Sequence, residues 1–428
     1  MMLLSLFVAL VFLYSLVSAR LERTVFTAPI LFTAAGMLVF DLAPRLQSSR
    51  AGVDIFLRVA EIGLVMLLFT DASRTNLSVL KRICNLPVRL LSVGMLLTIA
   101  FGTVAAKAVF RGLTWWEAGI LAAILAPTDA GLGQIIVSSP RVPMRIRQAL
   151  NVEAGLNDGL SVPFLLFFMA MTVTGAGHPD ANLGRFVLEQ LGYGVAVGVG
   201  VALPGGWLLA LAHRRNWIAP SFYQLGVVAL PLLCVLASEA TNASMFIAAF
   251  VAGLAVQVCY RDAGKHSVEF TEEWGQLLNF SVFFLFGLLV VRNWTEFSWL
   301  HCVYALLSLT VIRMLPVAIS LLGTRLHRDT VLFMGWFGPR GLASIVLGLV
   351  YLEHSLAHSG NVHIRLAVMV TVLLSIFAHG FSALPGIGWY AARVEALGPN
   401  SPEAEGMDIN PERLPLTPKP AKSGWGQE

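Results

Sequence analysis

The chain has 428 residues, of which 57% are hydrophobic and only 13% are charged. Soluble domains carry about 25% charged residues, so this composition excludes a soluble protein and predicts a polytopic membrane protein. The formal net charge of +4 is then no indication of a nucleic-acid partner, and the four scattered cysteines predict neither a disulfide framework nor a metal-ligand cluster.

Apolar stretches that are long enough to cross a bilayer recur along most of the chain, since about 20 residues are sufficient for a helix. They predict an all-α protein with about 13 transmembrane helices. The predicted spans are roughly 2–18, 25–43, 52–70, 90–110, 114–137, 149–173, 186–212, 219–238, 243–260, 274–291, 297–324, 330–352 and 364–392. Residues 1–393 are therefore predicted to form a membrane domain, and the polar tail 394–428 is predicted to be disordered.

Lys and Arg are distributed unequally between the two sides of the predicted membrane. About 19 lie in the odd-to-even connections and the tail, and about 6 lie in the even-to-odd connections. This bias predicts a multi-pass protein of the cell membrane with its N-terminus outside and its C-terminus in the cytoplasm. Residues 1–19 end in "VSA" like a signal peptide, but they lack a basic n-region, and their removal would turn the basic loops outward. The first span is therefore retained.

The fifth and twelfth spans are each interrupted by Pro, Gly and a charged residue. The interruptions read "APTDAGLG" (126–133) and "WFGPRGLAS" (336–344). Pro and Gly weaken a helix, and broken backbone is tolerated in a membrane only inside protein or beside a water-filled cavity. The two spans cross in opposite directions, as in an inverted repeat of spans 1–6 and 8–13. Paired interrupted helices are typical of a transporter's substrate site, although either one alone would be an ordinary Pro kink.

Several ionisable side chains lie within the predicted spans, where a charge costs at least about 2.5–3.5 kcal/mol. The carboxylates are Glu61, Asp129, Glu153 and Asp158, and the internal cations that can pair with them are Arg58, Arg313 and Arg340. Glu153 and Asp158 are separated by about 140° around one helix, so they face different surroundings. One can be held in an ion pair while the other titrates, and a free buried carboxylate can hold either a proton or a hard monovalent cation.

Three motifs in chain order, "PTDA" in span 5, "NVEAGLNDG" in span 6 and "GPRGLAS" in span 12, resemble those of monovalent cation:proton antiporters of the sodium/proton exchanger type. The resemblance covers essentially the whole membrane region. It implies that Asp158 binds the transported cation and the proton in competition, and that Asn157 marks the electroneutral branch. It also implies that Thr128 and Asp129 form the unwound crossing of the first broken helix.

The same resemblance implies supporting roles for other charges. Glu153 is expected to pair with an arginine, for which Arg313 is the first choice. Arg340 is expected to offset helix-end dipoles in the second broken helix and to face Asp129. Glu61 is either a further carboxylate near the site or the partner of Arg58 on its own helix.

Two positions depart from the pattern of the family. Many relatives have Pro where this chain has Ala130, and many have Ser where it has Ala154. A serine at the second position would stand one turn before Asp158 and could supply a ligand oxygen, so the alanine puts the cation preference and affinity in doubt.

The implied function is secondary active antiport of one Na⁺ (or Li⁺ or K⁺) for one H⁺, without a cofactor and without enzymatic activity. Spans 4–6 and 11–13 would form the ion-carrying core, and the remaining spans a scaffold embedded in lipid that forms a homodimer. The alternatives are a K⁺-selective exchanger, a channel, or a membrane-embedded sensor or enzyme on the same scaffold.

Overall fold

The computed structural model describes residues 2–21, 24–42, 50–74, 85–174, 183–241, 243–259, 263–358, 361–398 and 401–403. Within these ranges the regular elements are helical and no strand occurs. In chain order they are α1 (Met2–Leu21), α2 (Ala28–Leu42), α3 (Arg50–Arg74), α4 (Asn85–Val109), α5a (Trp115–Ile124), α5b (Ala130–Ser138), α6 (Met144–Thr174), α7 (Leu183–Arg214), α8 (Pro220–Thr241), α9 (Met245–Cys259), α10 (Ala263–Arg292), α11a (Trp299–Leu309), α11b (Val311–Ser320), α12a (Arg328–Trp336), α12b (Leu342–His358) and α13 (Val362–Leu397).

Each predicted span coincides with one helix or with one interrupted pair of helices, and the all-α architecture is confirmed. Helix α4 contains a π-helical turn at Leu90–Gly94. By length and composition, seven of the described helices are able to cross a membrane: α4, α6, α7, α8, α10, α11 and α13. Helices α1, α2, α5a, α9 and α12b are apolar but have shorter apolar segments. The full number of 13 crossings therefore stays a prediction.

The C-terminal boundary differs from the prediction. Helix α13 continues to Leu397 instead of ending near residue 392, because helix-forming residues follow the apolar stretch. Beyond it, the buried Glu403 accepts hydrogen bonds from the His327 amide (2.7 Å) and the Thr330 hydroxyl (2.9 Å) at the start of α12a. The predicted disordered tail from residue 394 therefore starts too early, and residues 404–428 lie outside the described part of the chain.

The helices pack in two groups. The first consists of α2, α3 and α7–α10, and the second of α4–α6 and α11–α13. Helices α2 and α10 approach so closely that a Cβ at Gly36 or Gly287 would overlap the backbone of the other helix. Helix α6 lies between the groups, because it packs on α5a and α5b on one side and on α3, α7 and α9 on the other. That the second group carries the ion stays a prediction.

Candidate functional site

The breaks in helices α5 and α12 lie against each other. Helix α5a ends at Ile124 and α5b begins at Ala130, while α12a ends at Trp336 and α12b begins at Leu342. The backbone N–H of Asp129 donates to the carbonyl oxygen of Pro339 at 2.8 Å. The two interrupted helices therefore meet at their unwound residues, as the paired Pro and Gly residues indicated.

Arg340 holds the second break against the first. Its guanidinium is fully buried, and Nη1 donates to the carbonyl oxygens of Ala126 at 2.6 Å and Pro127 at 2.9 Å. These carbonyls belong to the unwound segment just after α5a, beside the negative end of its helix dipole, so a cation there is favourable. The side chain donates to these carbonyls and not, as the resemblance suggested, toward Asp129.

Asp129 caps two half-helices at once. Its Oδ1 accepts the N–H of Leu132 in α5b at 2.9 Å, and its Oδ2 accepts the N–H of Leu342 in α12b at 2.5 Å. A carboxylate is favourable at the positive end of a helix and satisfies amides that lack a partner inside the helix. Both oxygens of Asp129 are thus occupied by backbone donors.

Glu153 and Arg313 form a buried bidentate ion pair. Arg313 Nη1 donates to Oε1 at 2.5 Å, and Nη2 donates to Oε2 at 3.0 Å. The two side chains are 3% and 4% exposed. The pair joins α6 to α11b inside the second helix group, and both oxygens of Glu153 are used in it.

Asp158 is the carboxylate at the helix crossing that is left incompletely bonded. The side chain is 5% exposed, and Oδ1 has no hydrogen-bond partner among the described residues. The preceding Asn157 donates through Nδ2 to Thr128 Oγ1 at 2.7 Å, which places this turn of α6 beside the break of α5. The carboxylates of Asp129 and Asp71 lie within electrostatic range of Asp158. An ionised Asp158 here is favourable only with a counter-charge.

Asp71 is a further carboxylate near Asp158, and the sequence did not predict its position. It packs on α6, since a Cβ at Gly155 would lie 3.4 Å from Asp71 Cβ. Glu61, which was expected near the site or paired with Arg58, lies ten residues before Asp71 on α3 and forms an ion pair of 3.6 Å with Arg58. Asp71 falls just past the predicted end of span 3 at residue 70, and reading the helix on to Arg74 would have included it.

A small cavity of about 10 Å³ adjoins the crossing, with room for a single water molecule. Its polar lining comes from Thr128, Asp129 and Glu153, and Ala154 and Phe337 contribute apolar surface. Ala154, one of the two departures from the family pattern, therefore faces the cavity. This arrangement offers oxygen ligands and a buried carboxylate to a small ion or to water.

The model of the transmembrane sodium/hydrogen exchanger family matches residues 6–385. The chain belongs to the sodium/hydrogen exchanger family. Members of this family are secondary transporters, so the chain is a multi-pass membrane antiporter of monovalent cations and protons and not an enzyme. The predicted family and type of activity are thereby confirmed.

Individual relatives of this exchanger agree with that assignment. A Na⁺/H⁺ antiporter of Schizosaccharomyces pombe is 29% identical over 338 residues, which are 69% of this chain and 68% of the relative. A K⁺/H⁺ antiporter, NhaP, of Alkalimonas amylolytica is 26% identical over 90% of this chain and 67% of its own. The solved structure of the sodium proton antiporter MjNhaP1 from Methanocaldococcus jannaschii matches with a TM-score of 0.70 at 21% identity, covering 89% of this exchanger and 99% of that chain. The match to this solved structure shows the fold of the exchanger.

Proposed function

We propose that this exchanger carries one Na⁺, or alternatively Li⁺ or K⁺, in exchange for one proton, and that the two ions compete for Asp158. One observation carries the proposal. Asp158 is buried with an oxygen that has no partner among the described residues, whereas the oxygens of Asp129 and Glu153 are occupied by helix ends and by Arg313. Of these three carboxylates, Asp158 is the one with a buried oxygen that has no hydrogen-bond partner among the described residues.

The surroundings of Asp158 favour a positive ligand. Asp71 and Asp129 add negative potential at the site. The side-chain oxygen of Asn157 is also buried without a partner in the described chain, and carbonyl and carboxylate oxygens are the ligands that hard cations prefer. A cation or a proton would neutralise Asp158 equally well, and this is the basis of competition.

Coupling follows from the cost of an empty site. An ionised carboxylate without a ligand is expensive in low dielectric, so the helix group that holds Asp158 would cross between its two positions only when loaded. We assign this movement to the group α4–α6 and α11–α13, with the other helices as scaffold. Asn157 is an amide where a second aspartate would add a charge, which supports electroneutral exchange.

The test replaces Asp158 by the isosteric amide, Asp158→Asn, and measures cation-driven proton flux in proteoliposomes. We expect flux to fall to the level of protein-free vesicles, because an amide neither titrates nor neutralises a cation. The thermal unfolding midpoint should stay near that of wild type. Glu239→Gln, in an exposed side chain near Arg58, serves as the control with normal flux. Retention of most of the flux by Asp158→Asn would reject Asp158 as the shared site.

The identity of the cation and the charge balance are tested in the same vesicles. Flux is compared in Na⁺, Li⁺ and K⁺, since the relatives include both Na⁺/H⁺ and K⁺/H⁺ antiporters and a K⁺-selective exchanger is the second candidate. A membrane potential imposed without any ion gradient should drive no net cation accumulation. Accumulation under potential alone would contradict the one-for-one stoichiometry.

We also propose a homodimer in the cell membrane with the N-terminus outside. Apolar side chains on α1 and α8 point away from the protein, including Leu13, Leu16 and Leu236, which are 59–66% exposed. This exposure supports an interface through these two helices, and cross-linking in membranes would detect it.

A further inference from the structure

Two buried polar residues of α13 face the break in α12. Ser375 and His379 are one helical turn apart, and both are almost fully buried. The hydroxyl of Ser375 accepts the backbone N–H of Arg340 at 2.6 Å. His379 Nε2 lies 2.9 Å from the carbonyl oxygen of Trp336. One residue therefore contacts each side of the break, at the end of α12a and just before the start of α12b.

Carbonyl oxygens face both ring nitrogens of His379. The carbonyl of Trp336 can only accept, so a hydrogen bond to it requires a proton on Nε2. Nδ1 lies 3.1 Å from the Ser375 hydroxyl, which can donate to it, and 2.9 Å from the Ser375 carbonyl oxygen, which would instead accept a proton from Nδ1. We assign the proton of the neutral ring to Nε2, because this tautomer connects the Arg340 N–H, the Ser375 O–H, the His379 N–H and the Trp336 carbonyl in one series of hydrogen bonds.

The contacts replace hydrogen bonds that the unwound segment cannot make for itself. A helix that ends inside a membrane protein leaves carbonyls and amides without intrahelical partners. Trp336 also accepts the N–H of Gly338 at 2.9 Å, and His379 supplies the second donor that a carbonyl oxygen can accept. The indole of Trp336 donates in turn to Ser382 of α13 at 2.9 Å. Helix α13 thus holds the break of α12 in one conformation.

The same backbone segment positions the ion site. Its Arg340 side chain donates to the carbonyls just after α5a, and its Pro339 carbonyl accepts the backbone N–H of Asp129. Thr128 of the α5 break then contacts Asn157, the neighbour of Asp158. A continuous series of contacts runs from α13 through both breaks to the proposed binding carboxylate.

We propose that His379, assisted by Ser375, is a positioning residue for cation binding. The ring fixes the α12 break and, through it, the α5 break beside Asp158, without touching the ion. The inference rests on the proposed function of Asp158 and adds a residue on a third helix to it. A preorganised site binds its ligand more tightly than one that must be ordered on binding, so loss of the clamp should weaken cation affinity.

Two amide variants of His379 form a matched pair. In His379→Gln the side-chain N–H reaches the place of Nε2 and can still donate to Trp336. In His379→Asn the amide reaches only the place of Nδ1, so Trp336 loses this donor. Both side chains are polar and smaller than histidine. The half-saturating cation concentration and the maximal antiport rate are measured in proteoliposomes for both variants, for wild type and for Asp158→Asn, together with unfolding midpoints.

We expect His379→Asn to raise the half-saturating cation concentration about tenfold while the maximal rate stays within about threefold, and His379→Gln to restore the wild-type concentration within about twofold. Equal half-saturating concentrations in the two variants would overturn the inference. So would a loss confined to the maximal rate together with a lower unfolding midpoint, which is what a purely structural histidine predicts.

If His379→Asn fails to fold, Ser375→Ala decides in the same way, because it removes the acceptor of the Arg340 amide and should raise the half-saturating concentration. An unchanged value in Ser375→Ala would then reject the clamp. The proposed function is tested separately, because flux retained by Asp158→Asn would reject it. The half-saturating concentrations of the two His379 variants can still be compared in that case.

Discussion

Three buried carboxylates lie around one helix crossing in this exchanger, and they differ in what their oxygens bind. Asp129 is bonded to the N-termini of two half-helices, Glu153 is bonded to Arg313, and Asp158 keeps an oxygen without a partner in the described chain. Ionised groups that are already compensated have little to gain from a cation or a proton. The same functional group therefore acts as a cap, as half of an ion pair and as the proposed binding site.

The ion pair between Glu153 and Arg313 should behave as a structural unit. Arg313→Met leaves Glu153 buried without its partner, and the expected loss of unfolding free energy is about 3–5 kcal/mol. The double variant Arg313→Met with Glu153→Gln should recover more than half of this loss, because no buried charge remains. Unfolding midpoints in detergent measure both effects. A single variant that is as stable as wild type would show that the pair contributes nothing.

Ala154 is a position where added chemistry should strengthen binding. It stands one turn before Asp158 and lines the small cavity at the crossing. In Ala154→Ser the hydroxyl adds an oxygen ligand worth about 1 kcal/mol, so the half-saturating Na⁺ concentration should fall about fivefold. Ala149→Ser, in a buried position nearer the start of α6, is the control and should have no effect on affinity. If both serines leave the affinity of the exchanger unchanged, the cavity is not part of the cation site.

At the scale of the helices, the crossing is stabilised because each broken end is satisfied by the other helix. Arg340 donates to a carbonyl just after α5a, and Asp129 accepts an amide proton at the start of α12b. The backbone N–H of Asp129 also donates to the carbonyl oxygen of Pro339. Glycine is needed where the two come closest. A Cβ at Gly341 would overlap the carboxylate of Asp129, which is the group that caps both half-helices.

Gly341→Ala should therefore disturb the crossing. Forcing a methyl group into a filled site costs about 1–3 kcal/mol, and displacement of Asp129 should reduce antiport as well. Gly200→Ala is the control in α7, away from the crossing, because no atom outside its immediate neighbourhood lies within 4 Å of the added Cβ. The control should be neutral or stabilise by up to about 1 kcal/mol. Equal unfolding midpoints and rates for the two variants would argue against tight contact at the crossing.

The sequence predicted these helices and breaks well because their causes are local. Apolar length fixes where a helix can cross, and Pro with Gly marks where it is interrupted. Asp71, His379 and Ser375 were not predicted, since their importance comes from contacts with residues on other helices. The extension of α13 to Leu397 was missed for another reason. The length of an apolar stretch indicates only the part of a helix inside the membrane, whereas the helix itself can continue into water.

For the whole molecule, the position of α6 between two helix groups bears on the proposal that Asp158 is exposed in turn to the two sides of the membrane. Its Asn157 contacts Thr128 in one group, and its Gly155 packs on Asp71 of α3 in the other group. If the group containing α6 moves as a body, the contact between α6 and α3 must change during every cycle, whereas contacts inside the scaffold need not change.

A disulfide between α3 and α6 should therefore stop transport. The Cβ positions of residues 71 and 155 are 3.4 Å apart, close to the about 3.5–4.5 Å that a disulfide requires. In a background without the native cysteines, Asp71→Cys with Gly155→Cys should lose antiport on oxidation and regain it on reduction. Each protein is its own reference, so a partial loss of flux from replacing Asp71 does not affect the comparison between the two redox states.

The control cross-link lies within the scaffold. The Cβ positions of residues 63 and 278, in α3 and α10, are also 3.4 Å apart, so Gly63→Cys with Leu278→Cys should form a disulfide and transport equally well in both redox states. Complete cross-linking of residues 71 and 155 with unchanged flux would mean that α6 stays fixed against α3. Asp158 would then have to reach the two aqueous sides by local changes at the helix breaks, and the assignment of a moving helix group would be wrong.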